Sequence, residues 1–300
     1  MTSPPHEQSI GAIPWRLVAG LALAIGALAT AAPFFRQAEP THPLAAAAFR
    51  LALAFLLLSP FLVRRIRREN VSRIFWSRGI AAGAFYALHF GTWVTSLTLT
   101  SVASSVTLVT ATPVLLATWA VLRGIDIPTG RTFVALGISA VGMLIIGGHD
   151  LGLSTDHLLG DALALGGAVA MAGYLLIARG LGEKLDVLAF MAVATGSGAM
   201  MLYLACVAAG VDPTPASTQA LFFLVLAALI PQLIGHNLLT WALRHTTPTT
   251  VGIATVGEPV GATILAWIWL GETVGAAVIL GCSLTITGVI LAITAVGRRP

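Results

Sequence analysis

The chain contains 300 residues, of which 57% are hydrophobic and 9% are charged, and its mean hydropathy is +0.92. A soluble domain carries about 25% charged residues, so the 16 basic and 12 acidic side chains of this chain cannot cover a soluble surface of its size. The composition excludes a soluble enzyme, a soluble nucleic-acid-binding protein and a secreted disulfide scaffold, and it predicts an all-α integral membrane protein.

Ten apolar stretches follow one another along the chain, each close to the roughly 20 residues that a helix needs to cross the hydrocarbon core. Turn residues or charges separate most of them. The predicted spans are 15–36, 43–64, 74–97, 101–122, 131–148, 160–179, 187–209, 218–243, 248–270 and 273–296. The first lacks a small-residue cleavage site and nine others follow it, so we expect a membrane span there rather than a signal peptide.

The basic residues predict the orientation of the chain in the membrane. One set of span ends holds Arg16, Arg64, Arg65, Arg67, Arg68, Arg73, Arg78, Arg123, Arg131, Arg179, Lys184, Arg244, Arg298 and Arg299. Arg36 lies at the opposite ends, and Arg50 lies inside the second span. Because cytoplasmic loops carry an excess of Lys and Arg, we expect both termini in the cytoplasm. The dominance of arginine and the richness in Ala and Gly point to a bacterial plasma (inner) membrane.

An internal repeat emerges when the sequence is shifted by 146 residues. Pro113 then meets Pro259, and Asp126 meets Glu272. The predicted repeats are residues 1–148 and 149–300. Each holds five spans, and because five is an odd number the second repeat enters the membrane from the opposite side. Inverted repeats of this kind are typical of carriers that alternate between outward-open and inward-open states.

Three segments resemble EamA-type members of the drug/metabolite transporter superfamily. Residues 43–50 resemble the second helix of that family, residues 160–163 the start of its second repeat, and residues 247–272 its ninth helix. The resemblance extends over nearly the whole chain. It implies ten transmembrane helices, arranged as two inverted five-helix repeats around a central cavity, and the export of amino acids or related metabolites. The length and the aromatic-rich third helix are most similar to the aromatic amino acid and paraquat exporter (YddG-like) type.

Polar groups at bilayer depth are rare here, and the third span carries one group of them. A charge at the centre of a spanning helix costs about 2.5–3.5 kcal/mol, so polar residues retained there are candidate functional residues. Tyr86, His89 and Trp93 follow i, i+3, i+7 spacing and share one helix face. They are predicted to line the cavity and bind substrate. Alternatively, the histidine bridges helices and the rings pack.

A second polar face lies in the eighth span. Gln232, His236 and Thr240 follow i, i+4, i+8 spacing, and Asn237 is adjacent. Under the 146-residue shift His236 falls one residue from His89, so the two faces occupy nearly equivalent places in the repeats. Gln232, His236 and Asn237 are therefore candidate substrate-binding residues in the same cavity, with helix bridging again as the alternative.

Two charged residues lie inside predicted spans. Glu258, near the middle of the ninth span, is predicted to bind a proton, a cation or a substrate ammonium group; the alternative is a buried structural acid. Arg50 is predicted to be structural, by bonding carbonyl groups freed at kinks or by pairing with Glu258. Tyr174, in the sixth span, is a further candidate substrate-binding residue.

Pro113 and Pro259 lie within spans, where each removes a backbone donor and frees the carbonyl four residues earlier. They are predicted to form a paired hinge beside the cavity, with static kinks as the alternative. The first repeat departs from the family pattern, because Thr112 precedes its proline where Glu258 precedes the proline of the second repeat.

Together these features predict a secondary transporter of small metabolites that works by alternating access. Amino acids, aromatic ones included, and planar cations such as paraquat suit the predicted cavity. A nucleotide-sugar or sugar-phosphate carrier is the alternative, although such substrates call for more cavity cations than Arg50. Intramembrane enzymes and channels are more distant alternatives, since no nucleophile–base pair or selectivity filter is recognisable. We expect no catalytic residue, metal or cofactor; the expected partners are a small-molecule substrate and the lipid bilayer, without nucleic acid or an obligate protein partner.

Overall fold

The computed structural model describes residues 15–125, 127–148, 154–182, 186–271 and 273–296, and within these ranges no strand occurs. The α-helices are α1 (Trp15–Ala29), α2 (Ala31–Gln37), α3 (Pro43–Arg68), α4 (Arg73–Ser96), α5 (Val102–Val109), α6 (Thr112–Arg123), α7 (Gly130–Gly148), α8 (Thr155–Arg179), α9 (Val187–Ala208), α10 (Thr218–Ala227), α11 (Asn237–Ala242), α12 (Pro248–Thr255), α13 (Glu258–Leu265) and α14 (Ala276–Val296). Two π-helical segments, Ala228–His236 and Ala266–Leu270, continue α10 and α13. Asp126 and Glu272 of the predicted repeat, and Lys184, Arg298 and Arg299 of the predicted orientation, lie outside the described residues.

Seven helical segments within these ranges are long and apolar enough, by length and composition, to cross a membrane. They are Trp15–Gln37, Pro43–Arg68, Val102–Arg123, Thr155–Arg179, Val187–Ala208, Thr218–Ala242 and Pro248–Leu270. The chain is therefore a multi-pass membrane protein. Helices α4, α7 and α14 occupy the places of the third, fifth and tenth predicted spans, and the count of ten spans stays a prediction.

The 146-residue offset recurs in the helix boundaries. Helices α5 and α12 are offset by 146 at both ends, and α7 and α14 begin at positions 130 and 276. The caps correspond as well, because the side chains of Ser101 and Thr247 each accept a hydrogen bond from the backbone N–H three residues later. Equivalent sequence signals therefore begin equivalent helices in the two repeats.

Equivalent helices also pack against each other, α3 along α9 and α7 along α14. The α7–α14 crossing is very close: a Cβ atom added to Gly142 would lie 2.6 Å from the Gly281 carbonyl oxygen. A Cβ atom on Gly288 would lie 2.6 Å from the Ala135 carbonyl oxygen, and Gly288 is Gly142 shifted by 146. Small residues thus let the two backbones meet at related points in both repeats.

Three of the spans are interrupted, and a proline lies in the first turn after each interruption. Pro113 is the second residue of α6 and Pro259 the second residue of α13. The carbonyl oxygen of Val109, which Pro113 cannot bond, accepts a hydrogen bond from Thr112 Oγ1 at 3.2 Å. The first predicted span, expected as one helix, is also divided at Thr30. Its Pro33 lacks the N–H that would bond the carbonyl of the residue four positions earlier.

Candidate functional site

A pocket lies where the interrupted helices meet α3, α4, α8 and the π-helical segment Ala228–His236. Its cavity volume is about 30 Å³, and the space between atoms around it, open solvent included, amounts to about 480 Å³. The lining residues are Leu28, Ala31, Arg50, His89, Trp93, Val109, Thr110, Thr112, Met171, Leu175, His236, Leu239, Thr255 and Glu258. Both repeats contribute to its wall, and the prolines at the interruptions place polar groups of α6 and α13 on it.

The side chains of the predicted face of the third span lie partly on the pocket and partly in the layer of residues behind the pocket wall. His89 and Trp93 line the pocket, and their rings stack with centroids 5.9 Å apart. His89 Nδ1 lies 2.9 Å from the carbonyl oxygen of Gly167 in α8. Because a carbonyl oxygen only accepts hydrogen bonds, Nδ1 is the donor, and Nε2 of the neutral ring is left as an acceptor. Tyr86 is fully buried and does not line the pocket.

The predicted face of the eighth span meets the first one at His236. This histidine lines the pocket, with its ring 6.4 Å from His89 and 5.3 Å from Phe90. Gln232 is buried behind the pocket wall, where its Oε1 accepts a hydrogen bond from Arg50 Nε at 3.1 Å. Asn237 is half-buried and does not line the pocket. The two histidines, one from each repeat, thus face the same space.

Tyr86 and Tyr174 form a layer next to His236. Their rings are stacked with centroids 4.1 Å apart, and the Tyr86 ring lies 5.7 Å from the His236 ring. The Tyr174 hydroxyl lies 2.6 Å from Thr240 Oγ1 and donates to Met191 Sδ at 2.9 Å. Both tyrosines therefore pack behind His236 and support its ring, and they are separated from the pocket by one side chain.

Among the described residues that line the pocket, Arg50 and Glu258 are the ones with a cationic and an acidic side chain. Arg50 is completely buried, and its Cζ lies 4.3 Å from the centre of the Phe90 ring. Glu258 is 9% exposed and begins α13, where the helix dipole favours a negative charge. Among the described residues the ion pairs within 4.0 Å involve Arg36 and Arg65. Arg50 and Glu258 therefore line one pocket without forming an ion pair.

Several lining residues were not among the sequence candidates. Thr112 and Thr255 lie within four positions of the helix-breaking prolines, a signal that could have found them. Met171 and Leu175 follow Gly167 at i+4 and i+8, so they share the α8 face that accepts the His89 hydrogen bond. Apolar residues at such spacing occur throughout this chain, and the sequence offers no signal that separates this face from the others.

Comparison with known proteins identifies the family. The model of the EamA-like transporter family matches residues 15–148 and 158–294, which are the two halves of the chain. A solved structure described as "Crystal structure of protein" has a TM-score of 0.73 and 16% identity over 95% of this chain and 99% of its own. At that identity the likeness shows a shared fold. No curated protein matches the chain. The chain belongs to the EamA-like transporter family of the drug/metabolite transporter superfamily, and its family function is the transport of small molecules across a membrane.

Proposed function

We propose that this protein is a secondary exporter of amino acids, aromatic ones included, and that the pocket described above is its substrate site. One observation carries the proposal. Both repeats contribute polar or aromatic side chains to one pocket, namely two histidines, a tryptophan, one cation and one carboxylate. The other residues that line the pocket are largely apolar. Binding sites for small molecules commonly combine an apolar lining with a few converging polar groups.

The balance of charge in the pocket favours a substrate with no large net charge. Nucleotide sugars and sugar phosphates carry negative charges that are bound by several Lys or Arg side chains. Here Arg50 faces the same pocket as Glu258, whose carboxylate would repel a phosphate. A zwitterionic amino acid matches one charge of each sign. The ring of Trp93 suits an aromatic side chain, and it would also attract a planar cation such as paraquat.

Alternating access is the mechanism that we propose. The interruptions before α6 and α13 lie beside the pocket, one in each repeat, and bending at Pro113 and Pro259 would open it toward one side and then the other. The substrate gradient and the membrane potential would suffice as driving forces. Glu258 is the group through which a proton could be coupled to transport. The distribution of basic residues supports an orientation with both termini in the cytoplasm. The dominance of arginine among the basic residues and the richness in Ala and Gly support placement in a bacterial plasma membrane.

Flux measurements in proteoliposomes test the proposal. The purified protein is reconstituted, and uptake is measured for phenylalanine, alanine, glutamate, paraquat and UDP-glucose. We expect saturable uptake of neutral and aromatic amino acids that His236→Ala slows by about tenfold, the value of one well-placed hydrogen bond to a charged group. The matched control is His245→Ala, because His245 is exposed and does not line the pocket.

Two further outcomes refine or overturn the proposal. If a pH gradient stimulates uptake by the wild type and has no effect on Glu258→Gln, transport is coupled to protons through Glu258. If UDP-glucose is the one substrate that moves, the argument from pocket charge is wrong, and the sugar-nucleotide carrier becomes the better function.

A further inference from the structure

The buried side chain of Arg50 has N–H donors that no described residue accepts. A guanidinium group carries five N–H donors. Nε donates to Gln232 Oε1 at 3.1 Å, but Nη1 and Nη2 are buried and have no partner among the described residues. A buried charged donor without an acceptor is costly, and a purely structural arginine would be expected to use these atoms.

The guanidinium is held in place at the pocket wall. Its Cζ lies 4.3 Å from the centre of the Phe90 ring and 5.6 Å from that of Phe35. These two rings come from α4 and α2, and the hydrogen bond to Gln232 ties the same group to the π-helical segment. Three elements therefore fix the position of a cation whose two outer nitrogen atoms find no acceptor in the described part of the chain. Such a preorganised, planar guanidinium group suits a carboxylate.

Trp93 supplies a second unused donor on the same pocket. Its Nε1 is buried and unpartnered in the described part of the chain, and its ring packs edge-on against Phe35 with centroids 5.8 Å apart. Arg50 and Trp93 thus both border Phe35 and both line the pocket. Glu258 is contributed to the pocket by the second repeat, and its carboxylate accepts no hydrogen bond from the described residues.

We infer that Arg50 binds the carboxylate of the transported substrate, with Trp93 Nε1 as an additional donor, and that Glu258 receives the substrate ammonium group. This assignment rests on the proposed function and adds to it a carboxylate subsite formed by the first repeat. It gives Arg50 a role in specificity beyond the structural one expected from sequence. A phosphate group could also accept hydrogen bonds from the Arg50 guanidinium, but the carboxylate of Glu258 would repel a dianion in the same pocket.

The test compares ligands that differ in one charged group. Flux into proteoliposomes is measured for phenylalanine, phenylalaninamide, which lacks the carboxylate, and 3-phenylpropionate, which lacks the amine. The wild type should prefer phenylalanine to phenylalaninamide by about tenfold or more in kcat/KM, as expected for a hydrogen-bonded charge pair. Arg50→Gln should abolish that preference, so that the kcat/KM values of phenylalanine and phenylalaninamide become equal within about twofold. Glu258→Gln should instead raise the relative flux of 3-phenylpropionate.

Trp93→Phe keeps the inference testable if Arg50→Gln fails to fold. This variant removes the N–H group and retains an aromatic ring, so it should lower the ratio of kcat/KM for phenylalanine to kcat/KM for phenylalaninamide. If Arg50→Gln folds and prefers phenylalanine to phenylalaninamide as strongly as the wild type does, the carboxylate subsite is wrong. Where Arg50→Gln does not fold, an unchanged preference in Trp93→Phe has the same meaning. In both cases the proposal of amino-acid export still stands. If the wild type moves no amino acid at all, the proposed function itself fails.

Discussion

Tyr174 connects the pocket wall to the packing behind it through a single hydroxyl group. Replacing it by phenylalanine removes the 2.6 Å contact with Thr240 Oγ1 and leaves the stack on Tyr86 in place. We expect Tyr174→Phe to lower the free energy of unfolding by about 1 kcal/mol, because a buried hydrogen bond is lost. Tyr203→Phe is the matched control, since Tyr203 is half-buried and its hydroxyl makes no hydrogen bond within the described residues. Thermal unfolding of both variants in one detergent measures the difference, and an equal or larger loss in Tyr203→Phe would contradict the argument.

At the scale of single residues, the sequence predicted which side chains are unusual better than it predicted what they contact. His89, Trp93, His236 and Glu258 stood out as polar or aromatic groups within spans, and all four line one pocket. The same criterion did not separate the residues that line it from Tyr86, Tyr174 and Gln232, which lie behind it. That distinction depends on helix rotation, and one residue of register in a helix turns a side chain by about 100°.

The interrupted helices are the elements on which the proposed transport cycle depends. Pro259→Ala restores an N–H group that can bond the carbonyl of Thr255 and so favours a continuous helix across the interruption. We expect transport by Pro259→Ala and by Pro113→Ala to slow severalfold while the protein still folds. Pro60→Ala is the control, because Pro60 lies within α3 on an exposed face away from the pocket. Initial rates of flux for the three variants provide the measurement, and equal rates in all three would remove the hinge from the mechanism.

The elements themselves were predictable where a local signal exists. The prolines marked the interruptions in the fourth and ninth spans, and the caps at Ser101 and Thr247 began helices at related positions. The π-helical segment Ala228–His236 was not predicted, although it contains Pro231. Its hydrogen bonds reach one residue farther than those of an α-helix. The segment packs against α1 and α3, and these tertiary contacts cannot be read from the local sequence.

At the scale of the whole molecule, one of the contacts between the two repeats is the crossing of α7 and α14 at Gly142 and Gly288. Gly142→Ala brings a Cβ atom to 2.6 Å from the Gly281 carbonyl oxygen, a backbone atom that cannot rotate away. We expect a loss of about 1–3 kcal/mol in the free energy of unfolding, the usual cost of overpacking. Gly137→Ala is the control on the same helix, because a Cβ atom there meets nothing within 4 Å and alanine favours helix. Unfolding midpoints measure both, and a neutral Gly142→Ala would show that the helices separate there at little cost.

The repeat also carries a departure from symmetry with a consequence for the cargo. Thr112 and Glu258 occupy equivalent positions, and both line the pocket, so the pocket receives one carboxylate where strict duplication would supply two. A pocket in which both the carboxylate and the arginine were duplicated would accept a ligand equally well after it had been turned end for end about the axis that relates the repeats. With one of each, since the position equivalent to Arg50 is Gly196, a zwitterion held between Arg50 and Glu258 has a single charge-compatible direction. Each substrate molecule would then cross the membrane in the same orientation, even where the two repeats move symmetrically around it.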